Sequence, residues 1–471
     1  MTKDTIIFWF RRDLRLADNE ALISAAKEGA ILPVYILDKR EEFKIGGASQ
    51  WWLHHALDTL NKSLDGKLLF FTDNTATLIP RLAKAAGAKA VYWNKVYEPA
   101  FLESDKTIEK ALEKENITSC QYDGTMLWPV GAITKKDGTP FKIYKPFLRT
   151  ALHADEPHEP KAKPKGISYA TGNIKGAVAL EKLALLPKIH WDEGIKKAWK
   201  PGEEEAQKML KSFVATKLKR YGAERNYPAH DVLSRLSPYL HYGEVSPNQI
   251  WHAVHKGNSS KENLEKFISE LSWRDFAYNL LTYFPDTPTE SYNARLKRLE
   301  WRHDEKALKA WQQGQTGIPI VDAGMRQLWQ TGYMHNRVRM ITASFLIKNL
   351  LTDWRIGADW FLDTLVDADL AVNTLNWQWV AGTGLDAAPF FRVFNPLLQS
   401  KNYDKDGEYI KTYVPELKGL PAKHIHAPWL APPDVLAKAK VDLGKTYPKP
   451  YVDLKASSTA ALDAYYKTAN G

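Results

Sequence analysis

The chain has 471 residues, 44% of them hydrophobic and 25% charged, with a formal net charge of +10. That length exceeds one hydrophobic core and implies two or three domains; the charge points to a polyanionic partner such as nucleic acid. A single cysteine, Cys120, excludes intrachain disulfides, CxxC redox chemistry and all-cysteine metal or iron–sulfur sites.

From the N-terminus, apolar runs at 5–10, 31–37, 67–71 and 90–93 alternate with stretches of helical period such as 21–28 and 78–86. This pattern predicts a doubly wound parallel sheet, an α/β domain over 1–130. The first run leads into Arg11-Arg12-Asp13-Leu14-Arg15 where a dinucleotide fold would carry GxGxxG, so NAD binding of the usual kind is not expected. Residues 131–202 read as an interdomain connector, rich in Pro, Lys and Gly from Ala154 onward. Residues 203–471 have helical periodicity, clearest at 268–281, 327–351 and 360–366. No apolar run approaches ~18 residues, so no membrane span is expected. The opening Met1-Thr-Lys-Asp-Thr5 lacks the order of a signal peptide, and a cytoplasmic, reducing location is the expectation.

Chemistry-bearing residues concentrate in the helical part. With 17 Trp, 21 Tyr and 17 Phe the chain is suited to flat ligands such as flavins and nucleobases, although most aromatics fill cores. Tyr221, Arg225 and the run Leu233-Ser-Arg-Leu-Ser237 offer hydroxyls and amides near a helix start, suited to a pyrophosphate. Glu270, Trp273 and Arg274 fall within about one helical turn, where a carboxylate, an indole and a guanidinium can address base edge, base face and phosphate. In 311–340, a Gly-rich opening would let backbone approach a ligand, and Asn336 and Met340 share a helical face with Arg337 and Arg339 pointing elsewhere. The stretch 367–379 combines acids, a carboxamide and indoles, as in the wall of a cofactor site. His54-His55 and His424-Ile-His426 lack a third ligand at recognisable spacing, so no metal is expected.

Together these segments resemble the photolyase and cryptochrome family, most nearly its bacterial class I cyclobutane pyrimidine dimer photolyases. The resemblance runs through FWFRRDLRLADNEAL (8–22), SRLSPYLHYGEVSP (234–247), ELSWRDF, TGIPIVDAGMRQL, MHNRVRMITASFL and NWQWVAGTGLDAAPFFRVFNP (376–396). It implies an α/β antenna domain and an all-helical domain holding FAD. By motif, Tyr221, Ser234, Arg235, Leu236, Ser237, Arg339, Asp367 and Asp369 would line the FAD, and Asn373 would face flavin N5. Trp377, Trp354 and Trp301 match an electron relay. Glu270, Trp273, Asn336, Met340 and Trp379 match the pocket for a flipped dimer, with Arg225, Arg274, Arg337, Arg392 and Gln399 as DNA contacts. The implied activity is that of a deoxyribodipyrimidine photo-lyase, a monomer acting on UV-damaged DNA; the alternative is a blue-light receptor that binds FAD without repair. Asn336 and Met340 stand where (6-4) photolyases and animal cryptochromes place histidines, which favours cyclobutane dimers. Leu233, Val372 and Asn376 depart from the family pattern, as does Glu98-Pro-Ala-Phe101. The last departure leaves the antenna open between methenyltetrahydrofolate, 8-hydroxy-5-deazaflavin and none.

Overall fold

In the computed structural model, which describes residues 3–171 and 174–470, the N-terminal apolar runs become strands β1 (Thr5–Phe10), β2 (Ala30–Leu37), β3 (Leu69–Thr72) and β4 (Ala88–Asn94). β1, β2 and β4 are buried along nearly their whole length, the signature of a parallel sheet covered on both faces. A fifth strand, β5 (Thr118–Tyr122), has no apolar run behind it: its sequence TSCQY is half-buried because it forms a sheet edge. The order is β3-β2-β1-β4-β5, with every pairing parallel. Helices α1 (Glu20–Glu28), α2 (Gly47–Ser63), α3 (Thr75–Ala85) and α4 (Pro99–Lys114) make the crossovers. Trp9, Val34, Phe71, Ile79, Val91 and Trp93 belong to the core beneath them.

Strand order reverses between β1 and β4, where open α/β sheets usually bind ligands. Here a side chain fills the position. Arg11 pairs with Asp105 at 2.8 Å, both side chains under 5% exposed, and donates through Nε to the Asn94 carbonyl at 3.1 Å. The connector adds to the sheet, with the Ile31 amide donating to the Ser168 carbonyl at 2.7 Å and the Val178 amide to the Phe70 carbonyl at 2.8 Å.

The C-terminal part is helical, including Lys261–Tyr283, Pro319–Thr331, Asn336–Ser344, Trp354–Thr364 and Leu370–Ala381. The periodic run 327–351 is not one helix. Gly332, at φ 64°, ends the first helix in a left-handed C-cap, and His335 starts the next. The architecture is thus a parallel α/β part followed by a helical part, as the sequence implied. Two compact units are present, one of 1–222, 234–285 and 366–371, the other of 223–233, 286–365 and 372–471. Among the described residues no helix is long and apolar enough to cross a membrane.

Candidate functional site

In the first unit, Arg235 takes a left-handed φ of 54°, a conformation that costs a non-glycine residue of order 1 kcal/mol and must be imposed by its surroundings. Its guanidinium is turned onto the Trp199 ring, 4.1 Å from the centroid, and donates to the Ala198 carbonyl at 3.3 Å. Behind this turn, the Ser234 hydroxyl accepts from the Leu236 amide at 3.4 Å, and Ser237 donates to Asp367 at 2.6 Å. Tyr221 and Leu236 are buried, Tyr221 lying edge-on to Phe213 and Phe267.

Asp369 is 6% exposed. The Tyr278 hydroxyl donates to it at 2.7 Å, and His241 Nδ1 lies 3.5 Å away. Burial, then Arg12, pull the His241 imidazole down to about 4 despite Asp369. Burial and the Asp369 charge hold the Tyr278 phenol well above its usual range. Asp369 therefore meets both groups as neutral partners.

Glu270, Trp273 and Arg274 project from helix Lys261–Tyr283 on one side, as their spacing requires. Glu270 and Trp273 are half-buried, and Trp273 stacks on Tyr144 with centroids 3.6 Å apart and planes 15° from parallel. Arg274 is drawn inward: it donates to the Thr125 carbonyl at 2.7 Å, lies 5.0 Å from the Tyr278 ring and leaves 11% of its side chain exposed. Next to it, buried Asp275 accepts the amides of Leu127 at 2.9 Å and Trp128 at 3.1 Å. Burial raises Asp275 to about 6 against the pull of Arg274 and those amides.

In the second unit, helix Asn336–Ser344 is capped by a side chain, His335 Nδ1 accepting from the Arg337 amide at 3.1 Å. His335 is 3% exposed, and burial, with Arg337 and Arg339 beside it, drives its imidazole down to about 3. Asn336 is exposed and Met340 half-buried on the same face. Arg337 points elsewhere, donating to Asn226 at 2.9 Å and lying 4.5 Å from the Tyr403 ring. Arg339 donates to the Met334 carbonyl at 2.7 Å and lies over Tyr333. Arg225 and Gln399 are half-buried and Arg392 is exposed.

Asn373 Nδ2 donates to the Ala358 carbonyl at 3.1 Å. That bond commits the amine side of the amide and leaves Oδ1 to act as an acceptor. Trp377 is 2% exposed, its ring edge-on to Phe361 at 5.0 Å and to Trp311 at 6.4 Å. Trp354 is fully buried, Trp301 packs with Leu296, Leu299 and Phe390, and Trp379 is half-buried. The demoted histidine His426 has ordinary partners, the Ser400 hydroxyl at 2.7 Å and the Lys405 carbonyl at 3.2 Å.

Several contributors are absent from the sequence-derived set. Tyr278 lies eight residues beyond Glu270 on the same helix and Asn226 directly follows Arg225, so proximity in sequence could have raised both. His241 lies four residues beyond Ser237 and within the same motif, so proximity could have raised it too, whereas Phe361 carries no such signal because its partner Trp377 is distant in the chain.

Residues 6–165 match the family model described as DNA photolyase, and residues 267–467 that of the FAD binding domain of DNA photolyase. A deoxyribodipyrimidine photo-lyase of Agrobacterium fabrum is 46% identical over 98% of this chain and 97% of its own length. Cryptochrome-2 of Arabidopsis thaliana is 36% identical over 99% of this chain and 79% of its own length. Among solved structures, a bacterial class III photolyase from Agrobacterium tumefaciens aligns with a TM-score of 0.97 at 44% identity, covering 100% of this chain and 99% of that one. Fold and domain content define a flavoprotein with a parallel α/β part and a helical FAD-binding part. The chain belongs to the photolyase and cryptochrome family.

Proposed function

We propose that this protein is a light-dependent DNA-repair lyase that splits cyclobutane pyrimidine dimers in UV-damaged DNA, of the class III kind in place of the class I kind its motifs resemble. The observation that carries the reading is exposed Asn336 with half-buried Met340 on one helical face, beside a buried His335 committed to capping. Burial, with Arg337 and Arg339 beside it, holds the His335 imidazole neutral near neutral pH, so the adjacent chemistry suits recognition of a dimer by an amide and a soft apolar side chain. The identity to a photo-lyase and the class III neighbour support it.

The donor set fits FAD. In the first unit the hydroxyls of Ser234 and Ser237 and the carboxylates of Asp367 and Asp369 would suit its polar groups, with Tyr221, Arg235 and Leu236 as further contacts; in the second unit the Arg339 guanidinium and the oriented Asn373 amide would do the same. When bound, FAD supplies light absorption and an electron that is lent to the dimer and recovered. Asn373 Oδ1 would accept the hydrogen at flavin N5. Trp301, Trp354 and Trp377 would carry electrons inward. Glu270, Trp273, Asn336, Met340 and Trp379 would receive the extruded dimer, whose poor stacking lowers the cost of extrusion. Arg225, Arg337, Arg392 and Gln399 would hold the DNA strand, while Arg274, turned to Thr125, would orient its helix.

An antenna pigment does not fit one aromatic cavity beside the sheet. The aromatic cavity lined by Trp9, Tyr35, Phe43, Phe101 and Tyr242 measures about 50 Å3, too little for a pterin or a deazaflavin, and no antenna is assigned there. The 36% identity to Cryptochrome-2 favours one other reading, a light receptor without repair. Illumination of the reduced, flavin-loaded protein with a dimer-containing oligonucleotide decides: dimer loss in light alone is expected, and bound flavin without dimer loss makes the protein a receptor.

A further inference from the structure

Two sequence features have no part in the proposed repair site: the arginine run after β1, and Glu98, where the chain departs from the family pattern. Both lie in the first unit, together with Asp369. Arg11 is committed to Asp105, and Arg15 donates to the carbonyls of Gly243 at 3.0 Å and of Asp18 and Gly124 at 2.8 Å. Arg12 differs in facing side chains. Its guanidinium meets the imidazole of His241, closer to Nε2 than to Nδ1, and lies 3.5 Å from the Glu98 carboxylate. Glu98 and His241 are both buried. Gly243, at φ 66°, makes this approach possible, since a Cβ there would overlap the Arg12 carbonyl. The Leu14 amide donates to the Tyr242 carbonyl at 3.0 Å, so the turn after His241 lies flat against the arginine run.

A guanidinium carries N–H donors and no acceptor. The His241 nitrogen beside it must therefore present a lone pair, and a neutral ring then keeps its one proton on Nδ1. Burial and the adjoining Arg12 keep the ring neutral. Nδ1 lies 3.5 Å from Asp369 Oδ2, the same oxygen that accepts from the Tyr278 hydroxyl at 2.7 Å. Two neutral donors on one oxygen restrain the rotation of the carboxylate and stabilise its charge. Glu98 offsets the charge of Arg12 from the other side. Four segments distant in the chain thus supply one contiguous sequence of contacts: Glu98, Arg12, His241 and Asp369.

We propose that Arg12, anchored by Glu98, is a positioning residue that locks His241 in its Nδ1–H form, so that His241 and Tyr278 hold the Asp369 carboxylate as a fixed acceptor for the FAD. The proposal rests on the placement of Asp369 at the FAD and does not depend on the choice between repair enzyme and receptor.

Histidine-selective nitrogen NMR of the flavin-loaded protein tests the lock, because a protonated ring nitrogen and a bare one resonate far apart. The His241 signals are those lost in His241→Asn. Near neutral pH the proton is expected on Nδ1, with Nε2 bare. Arg12→Lys, still a donor without an acceptor, should keep that pattern; Arg12→Gln, whose amide oxygen can accept, should let the proton move to Nε2. FAD release on dilution, followed by flavin fluorescence, gives the second readout. Arg12→Gln and His241→Phe should each weaken FAD binding about tenfold, and His241→Asn, whose amide can still donate to Asp369, should stay within about threefold of the parent. If Arg12→Gln does not fold, the parent NMR pattern and the contrast between His241→Phe and His241→Asn decide. A proton on Nε2 in the parent protein, an imidazolium, or equal loss of FAD in His241→Phe and His241→Asn overturns the proposal. Asp369→Asn separates the proposal from its premise. Unchanged FAD affinity there overturns the placement of Asp369 at the flavin, whereas weakened affinity there beside unchanged affinity in Arg12→Gln and His241→Phe overturns the lock alone.

Discussion

Adding one methyl group at Gly357 should damage both stability and electron entry. Gly357 lies within helix Trp354–Thr364, so the requirement for glycine is spatial. A Cβ there would sit 2.2 Å from Trp377 Cη2, 2.5 Å from Trp377 Cζ3 and 2.6 Å from Leu346 Cδ2. Ordinary carbon contacts are about 3.5–4.0 Å, so the overlap is on the order of 1 Å against two side chains at once. Neither can retreat: Trp377 is 2% and Leu346 0% exposed, and the indole is flanked by Phe361 and Trp311. Overpacking costs about 1–3 kcal/mol, and two simultaneous clashes argue for the upper end. At roughly 2–4 °C per kcal/mol for a domain of this size, Gly357→Ala should lower the melting temperature by about 6–12 °C. Light-driven reduction of oxidised flavin should slow in the same variant, because the indole must move. Removing the far edge of the ring with Trp377→Phe should relieve the clash, so a double-mutant cycle should show a coupling of about 2 kcal/mol. Additivity within about 0.5 kcal/mol, with unchanged flavin photoreduction, would refute the reasoning.

Trp377→Phe alone should block photoreduction of oxidised flavin yet spare repair by chemically reduced protein; equal loss of both would contradict its place in the relay. Glu270→Ala should reduce dimer repair at least about tenfold while leaving flavin bound, and release of the flavin would mark the residue as structural instead. Glu244 is fully buried, accepting from Trp52 Nε1 at 2.8 Å, and desolvation raises its carboxyl to about 8. Between about 4.5 and about 8 the folded state then holds a proton that the unfolded chain has released, so stability should fall as pH rises through that window. The contribution to the slope is at most about 1.4 kcal/mol per pH unit. Glu244→Gln, followed by melting across pH 5–9, should flatten that fall; an unchanged profile would mean that Glu244 ionises normally in the fold.

The strands show how far local pattern reaches. β1 and β2 are legible because a strand buried on both faces must be apolar throughout, whereas β5 is not, since an edge strand can be polar and still pair. Helix Lys261–Tyr283 is visible from its period, but the interruption at 332–335 depends on a glycine cap and a histidine whose imidazole replaces the missing helical acceptor. At the site, Asn336 and Met340 share a face simply because helical positions four apart do. Arg274 behaves otherwise: its spacing beside Trp273 suits a phosphate contact, yet the Thr125 carbonyl, 149 positions away, draws it inward.

The sequence by itself determined the alternating α/β order, the helical second part and the clustering of acid, amide and indole at 367–379, because these rest on periodicity and on residue chemistry that neighbours in the chain share. Only the tertiary structure decided which partner each group meets. Tyr278 and His241 reach Asp369, Ala358 orients Asn373, Gly357 makes room for Trp377, and Trp360 lies parallel to Trp329. Burial then sets protonation, leaving His241 and His335 neutral and Glu244 protonated in the physiological range. Desolvation and long-range contact depend on how distant segments pack, a property that no local stretch of chain contains.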